Sequence, residues 1–277
     1  MVRGSTLRPG KDLCPGYELR RLRGRGGFGS VWEAVRDDGR PMALKFLPCG
    51  EKTPSALEVR SIQLVRPLRH SHLVHIEQVS CSRGYVVVTM DLADGSLLDL
   101  LEAYQTEFHT PLVPHDVCNY LSQAAKAIDF LNSRQHVIDG QRVGIQHCDV
   151  KPTNLLLFGE KVKVSDFGLA SVTGSPMKSH RRAGTLDYAA PEVFQGRLTD
   201  WTDQYALAVS YCQLRGGRFP FPETPRSFQP SYVRPKPDLS MLPPAEQRVI
   251  VRALDPVPQD RWPSCGELMA QLTRLLT

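Results

Sequence analysis

The chain has no apolar run near the ~20 residues that a membrane-spanning helix needs. Any membrane anchor is therefore expected to lie outside it. Met1 to Cys14 lacks the apolar core of a signal peptide. The seven cysteines contain no CxxC pair, and their odd number argues against both a disulfide framework and a zinc site. A reducing, cytoplasmic compartment is the simpler setting. Blocks of like charge are also missing, so no nucleic-acid arm is expected. The net charge of +5, from 34 Lys and Arg against 29 Asp and Glu, is no more than a solvated surface explains. No internal repeat and no low-complexity tract occurs. What remains is a chain of 277 residues, 41% hydrophobic and 23% charged, long enough for a substantial core and two lobes.

Met1 to Asp12 is polar, with Gly and Pro, and reads as a loose lead-in. Tyr17 to Leu22 alternates apolar and polar residues as a half-buried strand does. Ser30 to Val35 and Met42 to Leu47 are strand-like and are separated by the turn cluster Asp37-Asp38-Gly39-Arg40-Pro41. Pro54 to Val65 has helical spacing, and Pro67 should end it at Arg66 or before. His75 to Val79 and Tyr85 to Leu92 read as two more strands.

After Gly95 the character changes. Leu97 to Tyr104, Pro114 to Ser133, Asp200 to Leu214, Pro243 to Leu254 and Cys265 to Leu276 are helix-forming stretches. Leu155 to Phe158 and Val162 to Val164 flank Gly159 as a short hairpin. Asp139-Gly140 is a turn signal inside the link from Asn132 to Gln146, and predicts a small extra hairpin. Phe219 to Pro237 is Pro-rich and reads as extended or loop-like.

Several motifs carry chemistry. Gly24-Arg25-Gly26-Gly27-Phe28-Gly29 lies between two strand-like runs. Such glycines let the backbone approach phosphate oxygens, and their N–H groups can form an anion-binding concavity. A glycine hairpin without a ligand fits the same letters. A dinucleotide fold needs a helix after the glycines, and Ser30 to Val35 is strand-like instead. Lys45 sits on the third strand-like run, where a lone Lys is most often an exposed edge residue. The specific signal is His147-Cys148-Asp149-Val150-Lys151-Pro152-Thr153-Asn154, followed by Asp166-Phe167-Gly168. Asp149 can accept a hydroxyl proton, Lys151 can steady a phosphate, and Asn154 and Asp166 supply the hard oxygens that Mg²⁺ prefers.

Taken together these motifs resemble the protein kinases of the eukaryotic (Hanks) type, from about Leu13 to Leu276. The Lys after the catalytic Asp resembles the Ser/Thr kinases, and the compact style resembles their bacterial members. The resemblance implies an α+β, two-lobe fold: a small antiparallel-sheet N-lobe with one helix (13–92), a hinge (91–95) and a larger, mainly helical C-lobe (96–277), with the cleft between them. It implies transfer of the γ-phosphoryl group of ATP, with Mg²⁺, to Ser or Thr of a protein substrate.

Site roles follow residue by residue from the same resemblance. Asp149, Lys151, Lys45, Glu58 and Thr185 would form the catalytic set, and Asn154 and Asp166 would hold metal. Gly24, Gly26, Gly27, Phe28 and Gly29 would cover the phosphates. Val31, Ala43 and Leu156 would sandwich the adenine, Met90 would guard its back pocket, and the backbone of Asp91 and Ala93 would contact the base. The apolar members of this set are equally compatible with plain core. Glu58 lies three residues further from His70 than the usual spacing, nearly one helical turn, and a surface Glu is the competing reading. Gly184 to Glu192 resembles the end of an activation segment, a platform for peptide, with Glu192 paired to Arg261 and Asp203 holding the catalytic-loop backbone.

One letter departs from the family. Cys148 stands where most members carry an Arg that binds a phosphorylated activation segment, so control by that phosphate is not expected here. Two alternatives of other classes remain. A pseudokinase scaffold would need a decayed Lys, Asp or Asn, and all are present. A small-molecule phosphotransferase would not need the peptide platform.

Overall fold

The computed structural model describes residues 7–26, 29–49, 55–174, 186–222, 224–225 and 229–276. The chain divides into two compact units, residues 1–69 with 74–93, and residues 70–73 with 94–277.

The first unit is a six-stranded antiparallel sheet with one helix. Its strands are β1 (Gly10–Cys14), β2 (Tyr17–Gly26), β3 (Gly29–Arg36), β4 (Pro41–Pro48), β5 (Ile76–Ser82) and β6 (Tyr85–Asp91), in the order β1-β2-β3-β4-β6-β5. Helix α1 (Ser55–Val65) falls between β4 and β5 in sequence. The period-2 pattern of β3 and β4 sorts two faces. Trp32 and Ala34 share a buried cluster with Met42, Leu44, Phe46, Leu19, Cys14 and Val87. On the opposite face the register sets Val31 against Lys45, Lys45 against Val88, and Ala43 against Met90.

Two expectations need correction in this unit. Residues read as loose lead-in include strand β1, which pairs Gly10 with Leu19 and Cys14 with Tyr17. Gly-Lys-Asp-Leu-Cys has no apolar alternation, so the strand is held by backbone pairing and left no periodic signal. Strand β2 also runs on past Leu22 to Gly26, which pairs with Gly29. Gly29 is demanded by packing: a Cβ there would lie 2.1 Å from the Phe46 carbonyl oxygen of β4.

The second unit is mainly helical. Its elements are β7 (Gly95–Ser96), α2 (Leu97–Phe108), α3 (Pro114–Asn132), β8 (His136–Ile138), β9 (Gln141–Val143), β10 (Ile145–Gln146), β11 (Leu155–Phe158), β12 (Lys161–Val164), β13 (Ser171–Val172), α4 (Pro191–Phe194), α5 (Thr202–Gly216), α6 (Pro244–Ala253) and α7 (Cys265–Thr273). A capping box starts α2: Asp99 N–H donates to Ser96 Oγ at 3.2 Å, and Ser96 N–H donates to Asp99 Oδ2 at 2.7 Å. This helix runs a turn past Tyr104, because no stop signal precedes His109, whose φ of 56° ends it. Helix α3 turns Val117, Leu121, Ala124, Ile128 and Leu131 inward and packs on α5, α7 and β12. Helix α5 is buried on nearly every side, as its apolar run predicts. The extra hairpin is present as β8 and β9, with Asp139 and Gly140 at φ of 50° and 77°, the left-handed pair of a type I′ turn.

Among the described residues no helix is long and apolar enough to cross a membrane. All seven cysteines are free. Cys14, Cys118, Cys212 and Cys265 are buried, and burial pushes the Cys118 thiol up to about 11. A thiol reagent at neutral pH should label exposed Cys49 and Cys81 first, half-buried Cys148 later, and the buried four only on unfolding. Mass-spectrometric mapping checks this; fast labelling of Cys118 in native protein would contradict it.

Candidate active site

The chemistry-bearing residues fall into two clusters, one in each unit. In the first, Lys45 points from β4 to α1, where its Nζ stands 2.6 Å from Glu58 Oε1. Glu58 is 3% exposed, so its longer spacing from His70 still turns it inward. Lys45 shares its sheet face with Val31, Ala43 and Met90. At the end of β6 the Asp91 side chain accepts from Arg40 Nη2 at 2.7 Å, and the Ala93 carbonyl accepts from Arg23 Nη2 at 3.4 Å. Gly24 lies opposite Val31 in the β2–β3 pairing. Gly27 and Phe28 fall outside the described residues, as does Thr185 in the activation segment.

Neutralising Glu58 tests its hold on Lys45. Glu58→Gln keeps the shape but removes the charge that fixes the ammonium. Phosphoryl transfer should fall by roughly ten- to a hundredfold, the worth of one charge-assisted hydrogen bond. Circular dichroism should show the fold retained; unchanged turnover would count against a role for the pair.

The second cluster is built on the loop between β10 and β11. Asp203, the second residue of α5, accepts from the backbone N–H of His147 at 2.6 Å and of Cys148 at 2.9 Å. Burial pushes the Asp203 carboxyl above its ordinary range, and these backbone donors oppose that rise. Cys148 takes a left-handed φ of 68°, which turns the chain so that both N–H groups face Asp203. Its Sγ donates to the Gln146 carbonyl at 3.5 Å. His147 is fully buried: Asp149 N–H donates to its Nδ1 at 3.3 Å, and its Nε2 contacts the Ser165 carbonyl at 2.8 Å. These partners place the ring proton on Nε2. Phe167 packs edge-on against the same ring at 5.3 Å between centroids.

This frame presents three side chains together. Lys151 Nζ lies 2.8 Å from Asp149 Oδ2 and 3.0 Å from Oδ1. Asn154 Nδ2 donates to Asp149 Oδ2 at 2.9 Å and to its carbonyl oxygen at 2.8 Å. The Asp149 carboxylate is thereby oriented by two donors before any substrate arrives. The Asn154 carbonyl accepts from Ser165 N–H at 2.9 Å and from Ser165 Oγ at 3.0 Å, which ties the loop to the residue before Asp166. Asp166 is exposed and holds a φ of 62°, a strained value for a non-glycine.

The donor set suits a magnesium ion. The Asn154 amide nitrogen is spent on Asp149, which leaves Oδ1 to face a ligand. That oxygen and the Asp166 carboxylate are hard donors, and few protein oxygens are what Mg²⁺ takes when phosphates complete its shell. Among the described residues there is no cluster of three or more His, Cys, Asp or Glu able to hold a metal, so a cage of protein ligands alone is not built. Leu156 lies on β11 opposite Ser96 and Lys163.

Sequence reasoning passed over Gln146. It is fully buried, donates from Nε2 to Asn132 Oδ1 at 2.7 Å and to Thr173 Oγ1 at 3.4 Å, and accepts the Asp203 N–H at 3.3 Å. The amide thus joins the end of α3, the start of α5 and the start of the activation segment. A polar residue in a short apolar strand beside His147 was the available signal. Further along, Arg261 and Glu192 form a two-pronged pair at 2.9 and 2.8 Å, with side chains 0% and 2% exposed.

Comparison with known proteins bears on the family and the fold. A family model described as protein kinase domain matches residues 17–272. CBL-interacting protein kinase 4 of Oryza sativa subsp. japonica is 30% identical over 269 residues, covering 91% of this chain and 56% of that protein. Serine/threonine-protein kinase PknE of Mycobacterium tuberculosis is 31% identical over 278 residues, covering 95% of this chain and 46% of its own length. The chain thus spans about half the length of these curated relatives. Among solved structures, the PknI kinase domain of M. tuberculosis superposes with a TM-score of 0.72 at 26% identity, over 98% of this chain and 99% of that one. The small antiparallel sheet with one helix, the helical second unit and the family match over residues 17–272 lead to one conclusion: the chain belongs to the protein kinase family.

Proposed function

We propose that this chain is the catalytic domain of a serine/threonine protein kinase that transfers the γ-phosphoryl group of ATP, with Mg²⁺, to Ser or Thr hydroxyls of protein substrates. The observation that carries the reading is the triangle of Asp149, Lys151 and Asn154, with contacts of 2.8 to 3.0 Å. Phosphoryl transfer asks a protein mainly for positioning and charge stabilisation. Asp149 accepts the hydrogen bond of the incoming hydroxyl, aims its oxygen and takes up its proton as the P–O bond forms. Lys151 sits beside that carboxylate and steadies the negative charge on the transferring group. Lys45, fixed by Glu58, neutralises phosphate charge on the nucleotide. Asn154 and Asp166 would hold Mg²⁺, which when bound supplies positive charge to the phosphate oxygens. Val31, Ala43 and Met90 offer an apolar sheet face to an adenine, and Asp91 and Ala93 its backbone contacts.

The names of the relatives support the serine/threonine class. Lys151 two residues after Asp149 supports it from within the chain. An acceptor screen at fixed Mg-ATP tests the reading: protein Ser and Thr should be phosphorylated, whereas turnover on small alcohols alone would replace it with a small-molecule phosphotransferase.

Cys148 bears on control rather than on chemistry. Its backbone N–H still meets Asp203, and the position lacks only a guanidinium that could bind a phosphate. The start of the activation segment has an uncharged tether instead, with Thr173 N–H on the Gly144 carbonyl at 2.9 Å and Thr173 Oγ1 near Gln146. Replacing Thr173, Ser175 and Ser179 together by Ala should therefore leave activity intact, although Ser175 and Ser179 lie outside the described residues. Loss of activity in a folded triple variant would show that a phosphate switch operates after all.

A further inference from the structure

Between α5 and α6 the described residues of 217–243 form neither helix nor strand. Most of this stretch around residue 234 faces solvent; Val233 is 84% exposed and Pro235 and Lys236 are exposed as well. Tyr232 packs its ring on Phe194 at 4.8 Å, and Arg234 turns inward beside it. Its Nη2 donates to the carbonyls of Leu186 at 2.5 Å, Asp187 at 2.9 Å and Ala189 at 2.8 Å. Its Nε reaches Ala189 O at 3.1 Å and its Nη1 reaches Thr224 Oγ1 at 3.3 Å. The guanidinium lies over the Phe221 ring at 4.5 Å, with the Phe194 and Tyr205 rings at 5.7 and 5.9 Å.

Withdrawing a guanidinium from water is costly, and the cost is met only when its donors and its flat faces all find partners. Here the partners are three main-chain carbonyls, the Thr224 hydroxyl and aromatic faces. Those carbonyls belong to the turn Leu186-Asp187-Tyr188-Ala189, which by itself is held by little more than the Ala189 N–H to Leu186 O bond at 3.1 Å. The fork of Nε and Nη2 closes together on the Ala189 carbonyl while Nη1 reaches Thr224, a span of donors that one ammonium on a flexible stem cannot present.

We infer that Arg234 is a positioning residue for the protein acceptor: it fastens the 186–189 turn on which the substrate chain is laid. The inference rests on the kinase reading above. Tyr188 supports it from the other side of the turn, donating its hydroxyl to Gln213 of α5 at 2.5 Å and packing edge-on against Phe219 at 5.2 Å. The turn is thus pinned between α5 and the segment that carries Arg234, and a loss of either pin frees it.

The test is steady-state kinetics of the whole chain with a Ser- or Thr-containing peptide or protein acceptor. Arg234→Met keeps the bulk of the stem and removes every donor. It should raise KM for the acceptor by roughly ten- to a hundredfold, as misplacement by about 1 Å does, while KM for ATP stays unchanged. Arg234→Lys, able to reach one or two carbonyls, should fall between Arg234→Met and wild type. An acceptor KM unaltered in Arg234→Met overturns the inference. So does a parallel loss in acceptor KM, ATP KM and folded fraction, which is what a plain structural staple would give. Should Arg234→Met not fold, Arg234→Lys decides on the same criterion. Wild-type protein inactive on every peptide and protein acceptor would remove the kinase reading and this inference together; active wild type with unaltered variants removes Arg234 alone.

Discussion

Asp149→Asn is expected to lower the rate of phosphoryl transfer by roughly 10²- to 10⁴-fold, the usual worth of a positioned acid–base group. The change is nearly isosteric. An amide oxygen at this position can still accept from Lys151 Nζ and Asn154 Nδ2, which now lie 2.8 and 2.9 Å from Oδ2. The backbone is held independently, through Asp203 and the His147 ring. What the amide cannot do is take a proton from a hydroxyl. The loss should therefore appear in kcat, with the thermal unfolding midpoint and Mg-ATP binding both close to wild type. A variant that turns over as fast as wild type would remove Asp149 from the chemistry, and an equal loss in every parameter would mark a folding defect instead.

The largest effect on stability should come from Glu192 and Arg261. Both are buried, and their carboxylate and guanidinium meet in two parallel bonds. Arg261 Nε also donates to Asp255 O at 2.8 Å and Nη1 to Trp201 O at 3.1 Å, while Glu192 Oε1 accepts from the hydroxyls of Thr199 and Thr202 at 3.2 and 3.1 Å. The Tyr205 ring lies 4.9 Å from the guanidinium. Removing one partner leaves a charge in a place water does not reach, so Arg261→Ala or Glu192→Ala should each cost about 3–5 kcal/mol. For a chain of this size that is a fall in Tm of order 10 °C. A buried pair is not itself a large source of stability. Replacing both residues by Met should therefore cost less than the sum of the single losses, a coupling that a double-mutant cycle by denaturant unfolding measures. Strict additivity would show that the two side chains do not act as a pair.

The parts of the fold legible in the sequence are those that repeat a period or carry a turn residue. Strand β2 showed period-2 alternation over Tyr17 to Leu22, β3, β4 and β6 showed as short strand-like runs between turn residues, α3 as a helix-forming stretch after Pro114, and the Asp139-Gly140 hairpin by its turn. Strand β1 and the short α4 left no such mark, because backbone pairing holds one and a single turn after Pro191 makes the other. The stretch from His147 to Gly168 was readable as chemistry because Asp149, Lys151, Asn154 and Asp166 stand in order at fixed spacing. Gln146 and Arg234 were not. Each acts through main-chain or amide partners 14 to 57 residues away in sequence, and no local pattern announces such a contact. Glu58 was visible only as one Glu at an unusual spacing; its 2.6 Å approach to Lys45 depends on how α1 meets the sheet.

The measurement that bears most directly on the proposed function is label transfer from [γ-³²P]ATP with Mg²⁺ to a protein acceptor, followed by acid hydrolysis and separation of the phosphoamino acids. Wild-type protein should yield phosphoserine or phosphothreonine, and the yield should vanish when Mg²⁺ is chelated. A folded wild-type protein that binds Mg-ATP yet leaves no label on Ser or Thr would contradict the assignment and leave a nucleotide-binding scaffold in its place.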